Sequence, residues 1–184
     1  MKLFACLHAY GIRGSVLNWI HNFLTCRTHQ TRVDSSVSEI ADLLSGVVQG
    51  SGLGPLLFLM YIDGLTKALE SVDVVTKFSA HDVKVYLKIV KYDDCVILQK
   101  ALDLINQWAS DWQLQISVEK CSVLHVGPRH VSFHYSIGND VIPQVTQCKD
   151  LGVVLTGTLC PAKHICEITV KATGSKQHSE MFCF

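Results

Sequence analysis

The sequence lacks an excess of charge of either sign, since 16 basic residues balance 16 acidic ones. Tight autonomous binding to DNA or RNA generally needs a basic surface, so the balance of charges argues against such binding. A local basic groove is still compatible with a neutral chain. Only 17% of the residues are charged and 48% are hydrophobic, which excludes a largely disordered chain. A chain of 184 residues can form one domain with a buried core.

The sequence also lacks paired cysteine motifs and long hydrophobic runs. Its eight cysteines include no C-x-x-C pair, so neither a disulfide framework nor a zinc ribbon is expected. The most apolar stretch, "LLFLMYI", is far shorter than the roughly 20 residues of a membrane span. No cleavage signal follows the opening "MKLFACLHAY". We therefore expect an intracellular chain, cytoplasmic or nuclear, without a signal peptide and with no membrane partner.

What is present is a pattern of helices alternating with hairpins. Helices are predicted over Lys2–Tyr10, from Ser15 as N-cap to Leu24, from Pro55 to about Leu69, from Asp93 or Asp94 to Trp112, and over Pro161–Ala172. Strands are predicted on both sides of Ser35-Ser36 and of the turn Ser79–Asp82, and at "LQISV", "SVLHVG", "VSFHYSI" and "DLGVVL". This order indicates an α+β fold, an antiparallel sheet with helices on one face. We expect no structure in the tail, residues 173–184.

Several small motifs have competing interpretations. "GSGLGP" resembles a dinucleotide fingerprint, but Pro55 stands where its third glycine should be, so a helix-entry loop is favoured. Cys121 with His125 and Cys160 with His164 each offer two metal ligands, which do not make a zinc site. A Cys-His nucleophile stays open, because nothing in the sequence shows which side chains meet.

One strand combines basic and aromatic residues. Lys84, Tyr86 and Lys88 alternate with Val83, Val85 and Leu87, so the two sets lie on opposite faces. A solvated sheet face is the favoured interpretation, and a strip facing nucleic acid is the alternative.

Five stretches of the sequence, taken together, resemble one known family. They are "AYGIRGSVLNWIHNFLTCRTHQTRV", "SGVVQGSGLGPLLFLMYIDGL", "KFSAHDVKVYLKI", "LINQWASDWQLQISVEKCSVLHVG" and "CKDLGVVL". Their order and spacing are similar to those of the reverse transcriptase of non-LTR, LINE-like retrotransposons. The resemblance implies a partial polymerase palm over residues 1–155 and the start of a thumb helix over residues 156–172.

The resemblance also implies the chemistry of RNA-directed DNA polymerase. In that family, carboxylates hold two Mg²⁺ ions that activate the attacking 3′-hydroxyl and stabilise the leaving oxygen, and the partners are an RNA template and a DNA primer. Gln49, Gly50 and Ser51 match the loop used against template and nucleotide, with Val48 and Gly52 in place of the usual proline and valine. Lys120 matches a lysine that assists as an acid. Lys149, Asp150, Leu151 and Gly152 match the hairpin that grips the primer.

The turn at residues 79–82 departs from the family pattern. The family has two adjacent aspartates there, and Asp82 matches the second, while His81 stands in the position of the first. Imidazole is a poor Mg²⁺ ligand and carries positive charge when protonated. The resemblance therefore implies an incomplete metal site with Asp82 as its one carboxylate and Mg²⁺ not productively bound.

The family's remaining metal-binding aspartate belongs to a strand before the segment that matches Lys2–Gly14, so we expect it to be missing from this chain. Asp63 is a poor substitute, because its position favours a polar group on a helix surface. The first hypothesis is a truncated, catalytically inactive polymerase segment, a pseudoenzyme. The alternatives are a non-catalytic nucleic-acid-binding module around Gln49, Lys84, Lys88 and Lys149, which would bind RNA or primer weakly, and an unstable relic.

Overall fold

A computed structural model describes residues 2–128 and 131–180, with side chains described through Thr173. Within these ranges the chain forms five α-helices, a 3₁₀ helix and twelve short strands. Two compact units divide it, residues 1–85 and residues 86–184. The mixture of helices and small, mainly antiparallel strand pairs confirms the α+β class. No helix among the described residues is both long and apolar enough to cross a membrane.

Three helices build the core of the first unit. They are α1 (Lys2–Ala9), α2 (Gly14–Leu24) and α3 (Leu53–Leu69). Each contributes one side chain to the centre, where Leu7, Ile20 and Leu57 are almost fully buried. Full burial of a leucine or isoleucine stabilises the fold by roughly 1.5–3 kcal/mol, so these contacts hold the three helices together. The predicted start of α1 and end of α3 are confirmed, whereas α1 ends at Ala9 rather than Tyr10 and α3 begins at Leu53 rather than Pro55.

A projecting arm of strands separates α2 from α3. It consists of β1 (Arg27–His29), β2 (Arg32–Val33), β3 (Ser36–Val37) and β4 (Ala41–Leu43), with β1 antiparallel to β4 and β2 antiparallel to β3. All residues from 28 to 46 are exposed. The Arg27 guanidinium fixes the base of the arm by donating to the carbonyl oxygens of Ser45 and Gly46, at 3.2 and 2.7 Å. The two strands predicted here correspond to β2 and β3 at the tip of the arm, and the pair β1–β4 was not predicted.

The second hairpin of the chain begins in the first unit. Strands β5 (Val75–Ser79) and β6 (Asp82–Tyr86) pair with each other and are joined by a two-residue turn. The predicted hairpin is therefore confirmed, although its second strand ends at Tyr86 rather than continuing to Ile89.

The second unit is organised by α4 (Tyr92–Asp111), which contacts β8 (Ser136–Ile137). Cys95, Tyr135, Ile137 and Ile142 form its buried core. Burial, reinforced by a hydrogen bond with Cys95, raises the pKa of Tyr135 above its ordinary value. The other elements of the unit are a 3₁₀ helix (Val118–Lys120), β7 (Val123–Leu124), β9 (Asp140–Val141), β10 (Gln144–Val145), β11 (Gln147–Asp150), β12 (Val153–Thr156) and α5 (Ala162–Glu180).

The sheet differs from the prediction of one antiparallel layer. The described strands form six separate two-stranded sheets, and the pair β7–β10 is parallel. "LQISV" is not a strand, because its backbone bonds locally: Leu114 N–H donates to the Ala109 carbonyl at 2.8 Å and Val118 N–H to the Ile116 carbonyl at 3.1 Å. Ile116 and Val118 of this stretch instead pack beside the core around Tyr135.

Two further predictions are wrong. Ser15 does not cap α2, since the N-cap position is Arg13 and no side-chain bond is made there. The helix α5 continues to Glu180 instead of ending near Ala172, so the expectation of an unstructured tail fails over residues 173–180. Residues 181–184 of that predicted tail lie outside the described ranges.

Candidate functional site

The turn between β5 and β6 presents His81 and Asp82 to solvent. Ala80 and His81 form the two-residue connection, and Ala80 adopts φ +50°. The His81 side chain is 86% exposed and that of Asp82 58% exposed, with 3.8 Å between His81 Nε2 and Asp82 Oδ1. A hairpin of this kind holds the side chains at its tip in a defined direction. The structure thus brings the two residues together at the predicted place.

The strand periodicity fixes what lies beside Asp82. Side chains two residues apart share a face, so Asp82, Lys84 and Tyr86 lie on one side of β6, while Val83 and Val85 lie on the other. A basic side chain therefore follows the carboxylate along its own strand face.

The donor set at this turn does not fit a pair of magnesium ions. Two-metal sites place the ions about 3.5–4 Å apart and need several bridging carboxylate oxygens. Here the turn offers one carboxylate, Asp82, with an imidazole beside it. Over residues 2–128 and 131–173, whose side chains the structure describes, no group of three or more His, Cys, Asp and Glu side chains is arranged to hold a metal ion.

The loop before α3 is built around Ser51. Its hydroxyl donates to the Val48 carbonyl at 2.7 Å and accepts from the Gly54 N–H at 3.0 Å. The second bond satisfies one of the amides left unpaired at the start of a helix, which is the role of a cap. A Cβ on Gly54 would lie 3.0 Å from the Val48 oxygen, so the close approach requires glycine. The interpretation of this stretch as a helix-entry loop is supported. The close approach that requires glycine is between Gly54 and the Val48 carbonyl of the same loop.

Gln49 and Gly50 form the outward side of this loop. Both are exposed, and Gly50 has φ +78° with open space around its Cα. Ser51 is thus committed to the loop's own bonds, while Gln49 and the Gly50 backbone face solvent and are accessible to a ligand.

The two remaining groups of predicted residues belong to the second unit. Lys120 ends the 3₁₀ helix and is exposed. Lys149, Asp150, Leu151 and Gly152 form the end of β11 and its turn into β12, in the register Lys149↔Val154 and Asp150↔Val153. The hairpin expected here is confirmed as a structure. Its role as a primer grip stays a prediction, as does the role of Lys120.

Asp63 lies in a polar network on the surface of the first unit. It accepts a hydrogen bond from the Tyr10 hydroxyl and pairs with Lys67 Nζ at 2.7 Å. The hydrogen bond from Lys67, followed by that from Tyr10, lowers the pKa of Asp63 below its ordinary value. Sequence reasoning missed this network, because Tyr10 and Asp63 are far apart in the chain. The carboxylate is engaged in holding α1 to α3, which supports the surface role expected for it.

Comparison with known proteins decides the family. Residues 1–155 match the family described as reverse transcriptase (RNA-dependent DNA polymerase). The chain belongs to this family. It is 30% identical over 156 residues to an RNA-directed DNA polymerase from mobile element jockey of Drosophila melanogaster, covering 81% of this chain and 17% of that protein. The resemblance to reverse transcriptases of non-LTR retrotransposons is confirmed.

Two more reverse transcriptases give the same picture. The chain is 26% identical over 156 residues to a probable RNA-directed DNA polymerase from transposon X-element of D. melanogaster, covering 83% of this chain and 17% of that protein. It is 28% identical over 155 residues to a jockey polymerase of Drosophila funebris. The chain thus spans about a sixth of the length of these relatives, 17% in each case.

Proposed function

We propose that this reverse transcriptase domain, as a 184-residue chain, does not polymerise DNA. The family implies RNA-templated addition of nucleotides to a DNA primer, which depends on two magnesium ions. The observation that supports inactivity is His81, exposed at the turn beside Asp82, in the position of a metal-binding aspartate.

The physical reason lies in charge and ligand type. Mg²⁺ prefers hard oxygen ligands in octahedral geometry and is bound weakly by imidazole. Replacing a carboxylate by histidine removes a negative charge next to Asp82. The turn is therefore less favourable to a divalent cation than two adjacent carboxylates would be.

Primer extension by the purified chain tests this proposal. A labelled DNA primer annealed to an RNA template is incubated with the chain, the four deoxynucleotides and Mg²⁺ or Mn²⁺. We expect no extended product above the level given by an Asp82→Asn control. Extension by the unmodified chain that this control abolishes would overturn the proposal, because the activity would then depend on the turn.

Binding without catalysis is a second candidate function. The exposure of Gln49, Lys88 and Lys149 favours it, since these side chains are accessible to a nucleic acid. Neutralising Lys84, Lys88 and Lys149 together should weaken binding to a primer-template duplex and reduce its dependence on salt, because phosphate contacts release counterions. Affinity and salt dependence unchanged in this variant would exclude the candidate.

A further inference from the structure

A cleft in the second unit lies where the C-terminal end of α4 meets the turn between β8 and β9. Its volume is about 320 Å³, which is in the range of small-molecule sites in proteins. Asn106, Ala109 and Ser110 line it from the helix, and Gly138 and Asn139 line it from the turn. None of the candidate site residues described above lines this cleft, so its role is open.

The more buried part of the cleft is apolar. Leu114, Ile116 and Val118 line it from the segment that follows the helix, and Ile137 lines it from β8. Ile137 is 6% exposed and belongs to the buried core around Tyr135, and Ile116 and Val118 pack beside that core. The fold therefore fixes this apolar floor, which favours a ligand with an aliphatic stem, because removing apolar surface from water is favourable.

The rim of the cleft presents amide groups and one carboxylate. A Cβ on Gly138, which has φ +60°, would lie 3.6 Å from Asn106 Nδ2 and 4.0 Å from its Oδ1, so the Asn106 amide lies directly beside the turn. Asn139 and Gln115 add two further amides, and Asp140 adds the carboxylate. Together these side chains offer several oxygen acceptors around the apolar floor.

The electrostatics of the cleft favour a cation. No lysine, arginine or histidine is among the described residues that line it. The Asp140 carboxylate forms no ion pair within the part of the chain that the structure describes. The C-terminal end of α4, at Ser110 and Asp111, carries the negative end of the helix dipole. Because the whole chain has no net charge, this preference for a cation is local to the cleft.

We propose that the cleft binds a guanidinium group carried on an aliphatic stem. The stem lies against Ile116, Val118 and Ile137, and the guanidinium pairs with the Asp140 carboxylate and donates its remaining N–H groups to amide oxygens of the rim. A guanidinium suits this rim better than an ammonium, because its planar donors match a carboxylate and leave further donors for the amides. Two sources share this chemistry, an arginine side chain of a protein and a free guanidino compound.

Titration of the isotope-labelled chain with n-butylguanidinium, followed by NMR, tests the proposal. We expect backbone amide shifts at Gly138, Asn139 and Asp140, and a dissociation constant on the order of 1 mM for so small a ligand. n-Butylurea has the same shape without the charge and should bind about tenfold more weakly. Methylguanidinium lacks the stem and should also bind about tenfold more weakly, because it buries less apolar surface.

A variant of the carboxylate tests the assignment to Asp140. Asp140→Asn keeps the size of the side chain, and it should weaken n-butylguanidinium binding about tenfold and leave n-butylurea binding unchanged. The matched control is Asp93→Asn, which removes the same charge at the opposite end of α4 and should change neither affinity.

A blocked alanyl-arginyl-alanine peptide distinguishes the two sources. Binding of this peptide tighter than that of n-butylguanidinium would indicate an arginine side chain of a protein, because the flanking backbone then adds contacts. Equal or weaker binding would indicate a free guanidino compound.

Three results would overturn the proposal. The first is equal affinity of the unmodified chain for n-butylguanidinium and n-butylurea, a comparison that needs no variant to fold. The second is unchanged n-butylguanidinium affinity in an Asp140→Asn variant that thermal unfolding shows to be folded. The third is a set of amide shifts confined to residues outside the cleft. Each result is independent of primer extension, so failure here leaves the proposed inactivity standing.

Discussion

The two hairpins that carry predicted site residues, β5–β6 and β11–β12, are closed by two-residue turns but differ in the fit between residue and backbone. In β11–β12, Leu151 and Gly152 have φ +46° and +90°, the two positive values of the turn that matches the strand twist best, with glycine at the more demanding position. In β5–β6, Ala80 adopts φ +50° without glycine.

The comparison shows that the residues needed to form a hairpin turn are distinct from the residues that would bind a metal there. The β11–β12 turn has the residue types that its backbone requires, and four residue pairs extend from it. The β5–β6 turn also forms its hairpin, so the substitution at His81 leaves the local fold intact. What changes at His81 is the ligand offered to a cation. The loss of metal binding proposed for this turn is therefore compatible with an intact hairpin.

The largest effect is expected from restoring the acid in the β5–β6 turn. His81→Asp places two adjacent carboxylates at the tip and removes the imidazole, so Mn²⁺ affinity, measured by titration calorimetry or water proton relaxation, should rise about tenfold or more. A group that binds the metal directly should contribute more than the 10- to 100-fold effects of the groups that orient such ligands. The same change combined with Asp82→Asn should abolish the gain. Equal affinity in the two variants would show that the turn is not a cation site.

The β11–β12 turn should be sensitive to loss of its glycine. A Cβ on Gly152 would meet no atom within 4 Å, so the cost of Gly152→Ala is purely conformational. Left-handed backbone costs an alanine roughly 1–2 kcal/mol, and the free energy of unfolding should fall by about that amount in a urea titration. An unchanged midpoint would mean that the turn relaxes to another conformation.

The opposite substitution in the β5–β6 turn should have a smaller effect of opposite sign. Ala80→Gly relieves the strain at φ +50° but increases the entropy of the unfolded chain, and the balance should stabilise the fold by about 0.5 kcal/mol. The same urea titration measures it. Destabilisation of similar size would contradict the view that Ala80 is strained.

The smallest effect concerns the start of α4, the helix that follows the β5–β6 hairpin. The Asp94 carboxylate accepts from the N–H groups of Lys91 and Val90, at 2.9 and 2.7 Å, and these bonds, that from Lys91 foremost, lower the pKa of Asp94 below its ordinary value of 3.8. Because the pKa of Asp94 is lower in the folded chain, its ionised carboxylate stabilises the fold at pH values above the ordinary pKa. This stabilisation is lost as the pH falls through the pKa of Asp94 in the folded chain.

Melting curves of the Asp94→Asn variant, recorded from neutral pH to below the ordinary pKa of 3.8, would test this stabilisation by the Asp94 carboxylate. The variant should melt below the unmodified chain near neutral pH, and the gap should close in acid. Asp93→Asn is the matched control, because Asp93 forms only an exposed ion pair with Lys91 at 3.1 Å, and such pairs contribute little. A pH-independent gap in Asp94→Asn would contradict the capping role.

Local patterns predicted the elements that depend on near neighbours in sequence. The helical spacing of apolar residues located α2 and α4, and the glycine loop followed by Pro55 located α3. The alternation after Asp82 located the β5–β6 hairpin with its turn. Elements whose structure depends on partners distant in sequence were not predicted correctly. The parallel pair β7–β10 joins residues separated by a hairpin, and "LQISV" has a strand-like alternation but no strand to pair with.

The same distinction between near and distant partners in sequence applies to the candidate site. His81 and Asp82 were placed correctly, because one short hairpin positions both. The bonds of Ser51 to Val48 and Gly54 were missed, although a serine three residues before a helical glycine is a capping signal that could have revealed them. The contact of Tyr10 with Asp63 gave no local signal at all.

The effect of His81 on polymerisation is tested most directly by transferring the altered turn to an active relative. In a polymerase-competent non-LTR reverse transcriptase, the aspartate corresponding to His81 is replaced by histidine, and primer extension and thermal unfolding are measured together. We expect extension to fall more than about 100-fold, because a metal ligand is lost, while the melting temperature stays unchanged. Full extension activity in the histidine variant would contradict this expectation.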